Sequence, residues 1–119
     1  MTHATLIRAI RLALAPHLDL VMWQNQTGAA KTTAGDWIRY GVPPMGGGSD
    51  LVGILEPEGR WFCIEVKTPR DRLRPKQKLF LELIRDRGGF AAVVRAGSED
   101  EAGQLAVQCL ERARKGERE

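Results

Sequence analysis

The chain has 119 residues, of which 43% are hydrophobic and 28% are charged, and its formal net charge at pH 7 is +3. This length predicts one domain, residues 1–119, with a single core, and the composition is ordinary for a soluble globular protein. The sequence contains no apolar run of about 18 residues, which argues against a membrane span. Cys63 and Cys109 lack metal-ligand spacing and are predicted to be reduced core thiols of an intracellular, cytoplasmic protein.

The first predicted elements are a helix over residues 4–15, which Pro16 ends, and a strand over residues 18–25. The helix has apolar residues at helical spacing, and the strand segment LDLVMWQN alternates and carries bulky side chains. Residues 27–48 are rich in glycine and proline and are predicted to be mainly loop, with a short strand near residues 37–41. Long loops of this kind are often functional.

A hairpin is predicted next, in which the segments DLVGIL and RWFCIEVK flank the turn EPEG. Pairing Leu55 with Arg60 places Asp50 opposite Glu65. Strand alternation then puts Glu65 and Lys67 on one face and apolar side chains on the other. The hairpin therefore brings two carboxylates and a lysine onto one patch, unless a bulge or an odd-length turn rotates Asp50 away.

The remaining predicted elements are two helices and one strand. The second helix covers residues 75–87, because proline is favoured in the first turn and two glycines follow the end. Its predicted buried stripe is formed by Leu79, Phe80, Leu83 and Ile84. Residues 90–96 are predicted to be an apolar strand. The segment SEDE, residues 98–101, predicts a capping box that opens a final helix, which frays into a charged tail.

The two facing carboxylates, Asp50 and Glu65, predict a metal site. Such a pair stays ionised at low cost only when a cation lies between its members. Oxygen ligands suit Mg²⁺ or Mn²⁺, and the main-chain carbonyl of Val66 is a further oxygen within reach. An ion there can polarise a phosphate, while Lys67 orients a water or offsets charge in the transition state. These residues predict metal-assisted hydrolysis of a phosphodiester.

A basic segment, KTPRDRLRPKQK at residues 67–78, leads away from this patch. Its side chains are suited to contacts with backbone phosphates, which give affinity with little sequence information. These side chains are Arg70, Arg72, Arg74, Lys76 and Lys78. The glycine run at residues 46–48 predicts close approach of the main chain to a phosphate or the metal. No P-loop or dinucleotide-binding motif is present, so no nucleotide cofactor is expected.

Each of these signals has a plainer interpretation. Asp50 alone is suited to capping a turn, and Glu65 with Lys67 is suited to a solvated ion pair on an edge strand. The basic segment alone is suited to a solvated loop. The tryptophans are better interpreted as core or loop anchors than as platforms for bases; they are Trp23, Trp37 and Trp61. The order and spacing of the signals together favour a functional site.

The pattern GGGSDLVGI followed by FCIEVKTPRDRLRPKQKLFLELIRDRGGFAAVV resembles the PD-(D/E)-x-K nuclease superfamily. More narrowly, it resembles the VRR-NUC family, the virus-type replication-repair nucleases. The resemblance implies an α/β fold with a mixed sheet, a restriction-endonuclease-like αβββαβ core and an extra C-terminal helix. It also implies Mg²⁺- or Mn²⁺-dependent cleavage of DNA, a homodimer, a preference for branched DNA such as four-way junctions, and a phage or prophage setting.

The resemblance also implies a role for individual residues. Asp50, Glu65 and the Val66 carbonyl correspond to metal ligands. Lys67 corresponds to the catalytic lysine, and Gln77 to the helix glutamine that supports the site. Further candidate contacts to DNA, besides the basic residues of 67–78, are Asn25, Lys31, Gly47, Gly48 and Ser49.

The first helix departs from the superfamily pattern, in which a glutamate at this place often helps to bind metal. Residues 1–18 contain no acidic residue. Thr2, His3 and Thr5 stand near the expected position, and none of them is predicted to be an equivalent ligand. Water or Asn25 is expected to take the place, or the metal site is weaker than usual. The alternative prediction is therefore a junction-binding protein with the nuclease fold and little activity; a third is a structural domain with no nucleic-acid role.

Overall fold

The computed structural model of the chain describes residues 1–26, 28–43 and 46–119. Its elements, in chain order, are α1 (His3–Leu14), β1 (Leu20–Gln24), β2 (Gly28–Lys31), β3 (Trp37–Tyr40), β4 (Leu51–Leu55), β5 (Arg60–Lys67), α2 (Pro75–Asp86), β6 (Phe90–Arg95) and α3 (Glu99–Arg114). The predicted α/β class and the extra C-terminal helix are confirmed. Among the described residues, no helix is long and apolar enough to cross a bilayer.

Four strands form one mixed sheet in the order β1-β4-β5-β6. β1, β4 and β5 run antiparallel to their neighbours, whereas β6 is parallel to β5 and is reached through the helix α2. The predicted hairpin register is confirmed, because Leu55 pairs with Arg60 and Val52 with Cys63. Continued to the residue before β4, this register places Asp50 opposite Glu65.

Helices cover both faces of the sheet. Phe62, Ile64 and Val66 of β5 lie in the larger apolar cluster, which also contains the buried side chains of α1 and α3. Cys63, between Phe62 and Ile64, belongs to the smaller cluster on the other face, with Phe80 of α2. The alternation predicted for β5 is therefore confirmed, and Glu65 follows Cys63 toward the α2 side.

The buried stripe of α2 differs from the prediction. Leu79 is 64% exposed and Leu83 is 44% exposed, whereas Leu81 is 2% exposed. The helix meets the sheet along Phe80, Leu81 and Ile84. Assigning Leu79 and Leu83 to the core was wrong, because helical spacing alone does not fix which side of a short helix faces the sheet.

Two connecting segments are also more ordered than predicted. Gly28–Lys31, expected to be loop, forms β2 and pairs with β3 in a separate two-stranded sheet. Its small residues give little strand signal in the sequence. The tail after α3 does not fray, because the main-chain N–H of Ala91 donates to the carbonyl of Arg118 over 2.9 Å. The guanidinium of Arg60 also donates to the carbonyl of Glu117.

The cysteine prediction is confirmed within the fold. Cys63 and Cys109 are both buried and both free of a disulfide. Burial raises the pKa of the Cys63 thiol to about 12 and also raises that of Cys109. Both side chains therefore behave as small apolar core residues.

Candidate active site

A polar cleft opens where β4 begins and β5 ends. Its lining includes the four residues that the sequence singled out for catalysis, contributed by the β4–β5 hairpin and the start of α2. The lining residues are His3, Asp50, Glu65, Lys67, Asp71, Arg72, Arg74 and Gln77. The hairpin register and the crossover to α2 therefore bring the predicted side chains together.

The two carboxylates occupy different settings in this cleft. Asp50 Oδ2 accepts a hydrogen bond of 2.7 Å from the main-chain N–H of Val66. Glu65 is only 2% exposed, and its Oε1 accepts a bond of 3.2 Å from Gln77 Nε2. Its Oε2 is buried and has no hydrogen-bond donor within the described parts of the chain. One carboxylate oxygen is thus left without the partner that a buried acceptor requires.

The charge state of Glu65 depends on the burial of its carboxyl group and on the neighbouring carboxyl group of Asp50. Burial, followed by the charge of Asp50 and hydrogen bonding between the two carboxyl groups, raises the pKa of Glu65 to about 9. Lys67 lowers it only in part. The setting of Glu65 therefore favours its protonated form while no cation lies between the two carboxyl groups.

Lys67 and Gln77 hold each other in place beside the carboxylates. Lys67 is 7% exposed, and its Nζ donates to Gln77 Oε1 over 2.9 Å while lying 3.8 Å from Glu65 Oε1. Gln77 Oε1 also accepts from the main-chain N–H of Arg74 over 2.9 Å. Gln77 therefore orients both the buried lysine and the buried glutamate, using its carbonyl for one and its amide for the other.

The donor set fits a hard divalent cation. Mg²⁺ is usually held by one or two carboxylates together with waters and substrate phosphates, and Asp50 and Glu65 supply that number. The buried, unpartnered Oε2 of Glu65 is the acceptor that such an ion would satisfy. In residues 1–26, 28–43 and 46–119 no group of three or more His, Cys, Asp or Glu side chains forms a ready-made metal cage. The candidate centre therefore depends on the carboxylate pair and main-chain oxygen.

His3 also lies in the cleft, a placement that the sequence did not predict. Its ring Nε2 is 3.0 Å from the carbonyl oxygen of Val66 and 3.4 Å from Asp50 Oδ2. It is the first residue of α1, whose start is fixed by reciprocal side-chain bonds between Thr2 and Thr5. The only sequence signal was the position of His3 near the expected place of an acid.

The predicted basic segment forms an ordered rim. Arg72 and Arg74 line the cleft, and further exposed residues of the segment are Arg70, Lys76 and Lys78. The hydrogen bonds that hold the loop before α2 include one from the N–H of Thr68 to Asp71 Oδ2 and one from Arg95 to the carbonyl of Thr68, each over 2.9 Å. The bond from Thr68 also lowers the pKa of Asp71. The arginines therefore project from a fixed turn.

The glycine run at residues 46–48 is needed for packing at two of its positions. A Cβ on Gly47 would lie 2.7 Å from the carbonyl oxygen of Lys76, and one on Gly48 would overlap the carbonyl of Val42, whereas one on Gly46 would meet no atom within 4 Å. Close approach of this main chain to a phosphate or the metal stays a prediction. Ser49 is fully buried, which argues against the predicted contact of this residue with DNA.

Asn25 and Lys31 lie outside the cleft lining. Asn25 Nδ2 donates to the carbonyls of Val42 and Ser49 over 2.7 and 3.0 Å, and its Oδ1 accepts from the N–H of Val42 over 3.1 Å. The expectation that Asn25 replaces the first-helix acid was wrong, because its Nδ2 and Oδ1 atoms are both used in hydrogen bonds to the main chain of Val42 and Ser49. Lys31 is exposed at the end of β2, in the separate two-stranded sheet.

Comparison with known protein families identifies the segment of the chain that contains the candidate catalytic residues. Residues 44–98 match the sequence model of the VRR-NUC domain. The match contains Asp50, Glu65, Lys67 and Gln77, while α1 with His3 lies before it. No curated protein is similar enough to the chain to count as a match. The resemblance read from the sequence is confirmed over this segment, since residues 44–98 match the VRR-NUC domain, a nuclease domain of the PD-(D/E)-x-K type.

Proposed function

We propose that the protein is a metal-dependent DNA endonuclease that hydrolyses phosphodiester bonds in the cleft. The observation that supports this proposal is the buried Glu65 carboxylate, which faces Asp50 and leaves Oε2 without a donor. Two close carboxylates in a buried setting oppose folding unless a cation or a proton lies between them. The pair is therefore better explained by cation binding than by stability.

Mg²⁺ or Mn²⁺, held by Asp50, Glu65 and the Val66 carbonyl, would polarise the scissile phosphate and make a nearby water more acidic. Lys67 Nζ, fixed by Gln77, is placed to donate to a phosphate oxygen or to orient the attacking water. A preorganised cation in a water-poor cleft stabilises negative charge that develops in the transition state. Gln77 positions Lys67 and Glu65, and it does so without adding charge.

The surroundings of the cleft suit a polyanion. Both α1 and α2 begin beside it, and neither helix has an acidic residue in its first turn. The positive ends of the two helix dipoles are thus left uncompensated near the site. Arg72 and Arg74 add positive charge at the rim. Contacts of this kind bind phosphates without reading bases, which supports selection by DNA structure rather than by sequence.

We infer that the preferred substrates are branched, such as four-way junctions, and that the enzyme works as a homodimer. A groove between α1 and β1 exposes apolar side chains, among them Leu12, Leu18 and Val21, which are 65%, 87% and 63% exposed. β1 is also an edge strand of the sheet. Exposed apolar grooves beside a free strand edge are typical association surfaces. An intracellular location and a phage setting stay predictions.

The dimer can be tested by light scattering on the purified chain and on Val21→Arg. A dimer that the arginine dissociates is expected. A monomer over the whole concentration range would contradict this part of the proposal, and cleavage by such a monomer would leave the rest intact.

The catalytic proposal is tested with a labelled four-way junction, a flap, a plain duplex and a single strand. Each substrate is incubated with Mg²⁺, Mn²⁺ or EDTA, and Glu65→Ala is assayed beside the unchanged chain. Metal-dependent cutting that the variant loses is expected, with branched substrates cut fastest. Tight junction binding without cutting in either metal would contradict the proposal and support a non-catalytic junction-binding protein.

A further inference from the structure

His3 reaches the cleft from the opposite side of the sheet to α2. Its helix, α1, packs on the apolar cluster, yet its first side chain meets the end of β5 and the start of β4. The ring is 44% exposed, so it is open to the cleft and not locked in the core. A polar side chain with access to solvent is thus aimed at the oxygen atoms of the candidate metal site.

The distances around His3 Nε2 match those between neighbouring ligands of one metal ion. Two ligands at right angles on an octahedral ion, each bonded at 2.0–2.1 Å, lie about 3 Å apart. Nε2 is 3.0 Å from the Val66 carbonyl oxygen and 3.4 Å from Asp50 Oδ2. Both distances are therefore compatible with Nε2 and each of these oxygens as neighbouring ligands of one ion.

We propose that His3 is a nitrogen ligand of the divalent cation in this cleft, completing a site of mixed nitrogen and oxygen donors. The inference rests on the proposed function, since Asp50 and Glu65 are taken to hold the same ion. The described residues contain no preformed group of three His, Cys, Asp or Glu ligands, so the proposed site requires side-chain adjustment when the ion binds.

A purely structural role for His3 explains the geometry less well. The start of α1 is already capped by Thr2, whose Oγ1 accepts a bond of 3.1 Å from the N–H of Thr5. The helix is anchored by fully buried Leu6 and Ile10. The contact from His3 to Val66 is therefore not needed to begin or to dock the helix.

A nitrogen ligand changes which metal the site prefers. Mg²⁺ favours oxygen donors and keeps its waters, whereas imidazole suits the first-row transition metals, and Mn²⁺ accepts both donor types. The ratio of the Mg²⁺ to the Mn²⁺ dissociation constant should therefore be larger for this chain than for its His3→Glu variant. The cleft is thus a Mn²⁺-preferring site.

Binding is tested on the full, tag-free chain, because an oligohistidine tag would itself bind Mn²⁺. Titration calorimetry with Mn²⁺ and with Mg²⁺ compares the unchanged chain with His3→Ala, His3→Glu and the control His17→Ala. His3→Ala is expected to weaken Mn²⁺ binding roughly tenfold or more, since even residues that support a metal ligand have effects of this size. His3→Glu is expected to shift the preference toward Mg²⁺, and His17→Ala to change neither constant.

Pulsed electron paramagnetic resonance of bound Mn²⁺ reads the ligand directly, independent of cleavage. Modulation from a ¹⁴N nucleus is expected in the unchanged chain and in His17→Ala, and its loss is expected in His3→Ala. Circular dichroism checks that each variant is folded.

The outcomes separate this inference from the proposed function. Mn²⁺ binding that depends on Glu65 but shows no ¹⁴N modulation would overturn the role of His3 and leave the nuclease proposal intact. Unchanged Mn²⁺ affinity in folded His3→Ala would also overturn the role of His3 as a metal ligand. No divalent binding by the unchanged chain would overturn both proposals together.

Discussion

The two faces of strand β5 differ in a way that separates folding from function. Phe62, Ile64 and Val66 are fully buried in the larger apolar cluster, together with side chains of α1 and α3. Glu65 and Lys67, on the other face, are 2% and 7% exposed, so they are nearly as buried. β5 therefore has an apolar face, whose burial stabilises the fold, and a polar face, whose burial has a free-energy cost.

This comparison shows why burial alone does not identify a core. Burial of an apolar side chain stabilises a protein by about 1.5–3 kcal/mol, whereas a buried charge has a cost unless it is paired and hydrogen-bonded. Glu65 retains an unpartnered oxygen beside a second carboxylate. A fold selected for stability alone has no use for this arrangement, and a cation-binding site does.

The largest expected effect is that of Lys67→Ala on cleavage. Removal of the one buried ammonium group beside the carboxylates should lower the cleavage rate by about 10²–10⁴-fold, the usual contribution of a positioned acid–base group. Affinity for DNA should change little, because a single charge contributes little to an interface with many phosphate contacts. Single-turnover kinetics and anisotropy binding measure the two effects, with Lys78→Ala as a control on the exposed side of α2. Loss of DNA binding by folded Lys67→Ala would count against the assignment.

On the apolar face, Ile64→Ala should reduce stability with no specific effect on chemistry. Deletion of a fully buried isoleucine side chain typically lowers the free energy of unfolding by about 2–5 kcal/mol. Leu79→Ala, at an exposed position, should change it by less than about 0.5 kcal/mol. Urea unfolding measures both values. Equal effects of the two substitutions would contradict the assignment of the core.

On the polar face, Glu65→Gln should stabilise the metal-free protein at high pH. Between the ordinary value of 4.5 and the folded-state pKa of about 9, folded Glu65 binds a proton that the unfolded chain releases. Raising the pH across this window therefore favours unfolding, by at most about 1.4 kcal/mol per pH unit for one proton.

Urea unfolding in EDTA at pH 5, 7 and 9 measures this effect as the difference between the unchanged chain and Glu65→Gln. The difference should grow with pH, and Glu58→Gln, in the exposed β4–β5 turn, should show no such trend. A constant difference would mean that Glu65 keeps an ordinary pKa. A saturating divalent cation should remove the advantage of the variant, because the cation binds only the intact pair.

The smallest expected effect is a reduction in DNA affinity when arginines at the rim of the cleft are replaced. Replacing Arg70, Arg72 and Arg74 by glutamine should weaken binding to every DNA shape. It should also reduce the slope of log K against log salt by up to about three, one for each lost phosphate contact. The control is an equal loss of charge away from the cleft and from the α1–β1 groove, at the exposed residues Arg39, Arg87 and Lys115. An unchanged slope in the rim variant would place the DNA-binding surface elsewhere.

The sequence was sufficient to predict the centre of the cleft. The turn between β4 and β5 and the strict alternation of β5 fix the register, so Asp50, Glu65 and Lys67 could be placed on one patch without coordinates. These are local relations of strand pairing. Gln77 was placed at the site only by the family resemblance, and the structure brings it there because it lies in the first turn of the helix that follows β5.

The parts that sequence reasoning missed depend on contacts between distant segments. His3 is 63 residues from Val66 along the chain, and only the docking of α1 on the sheet brings them together. The sequence likewise does not show that Lys76 and Val42 fill the space in which a Cβ on Gly47 or Gly48 would lie. Such packing is a property of the assembled fold.

The most direct test of a metal-dependent active site in this cleft is the single-turnover cleavage rate of Glu65→Gln in Mn²⁺, measured beside its stability in EDTA at pH 8. The variant should be more stable than the unchanged chain and at least about 100-fold slower, because the Glu65 carboxylate both destabilises the fold and serves the reaction. Cleavage at the rate of the unchanged chain, or cleavage that persists in EDTA, would contradict the claim that this cleft is a metal-dependent active site.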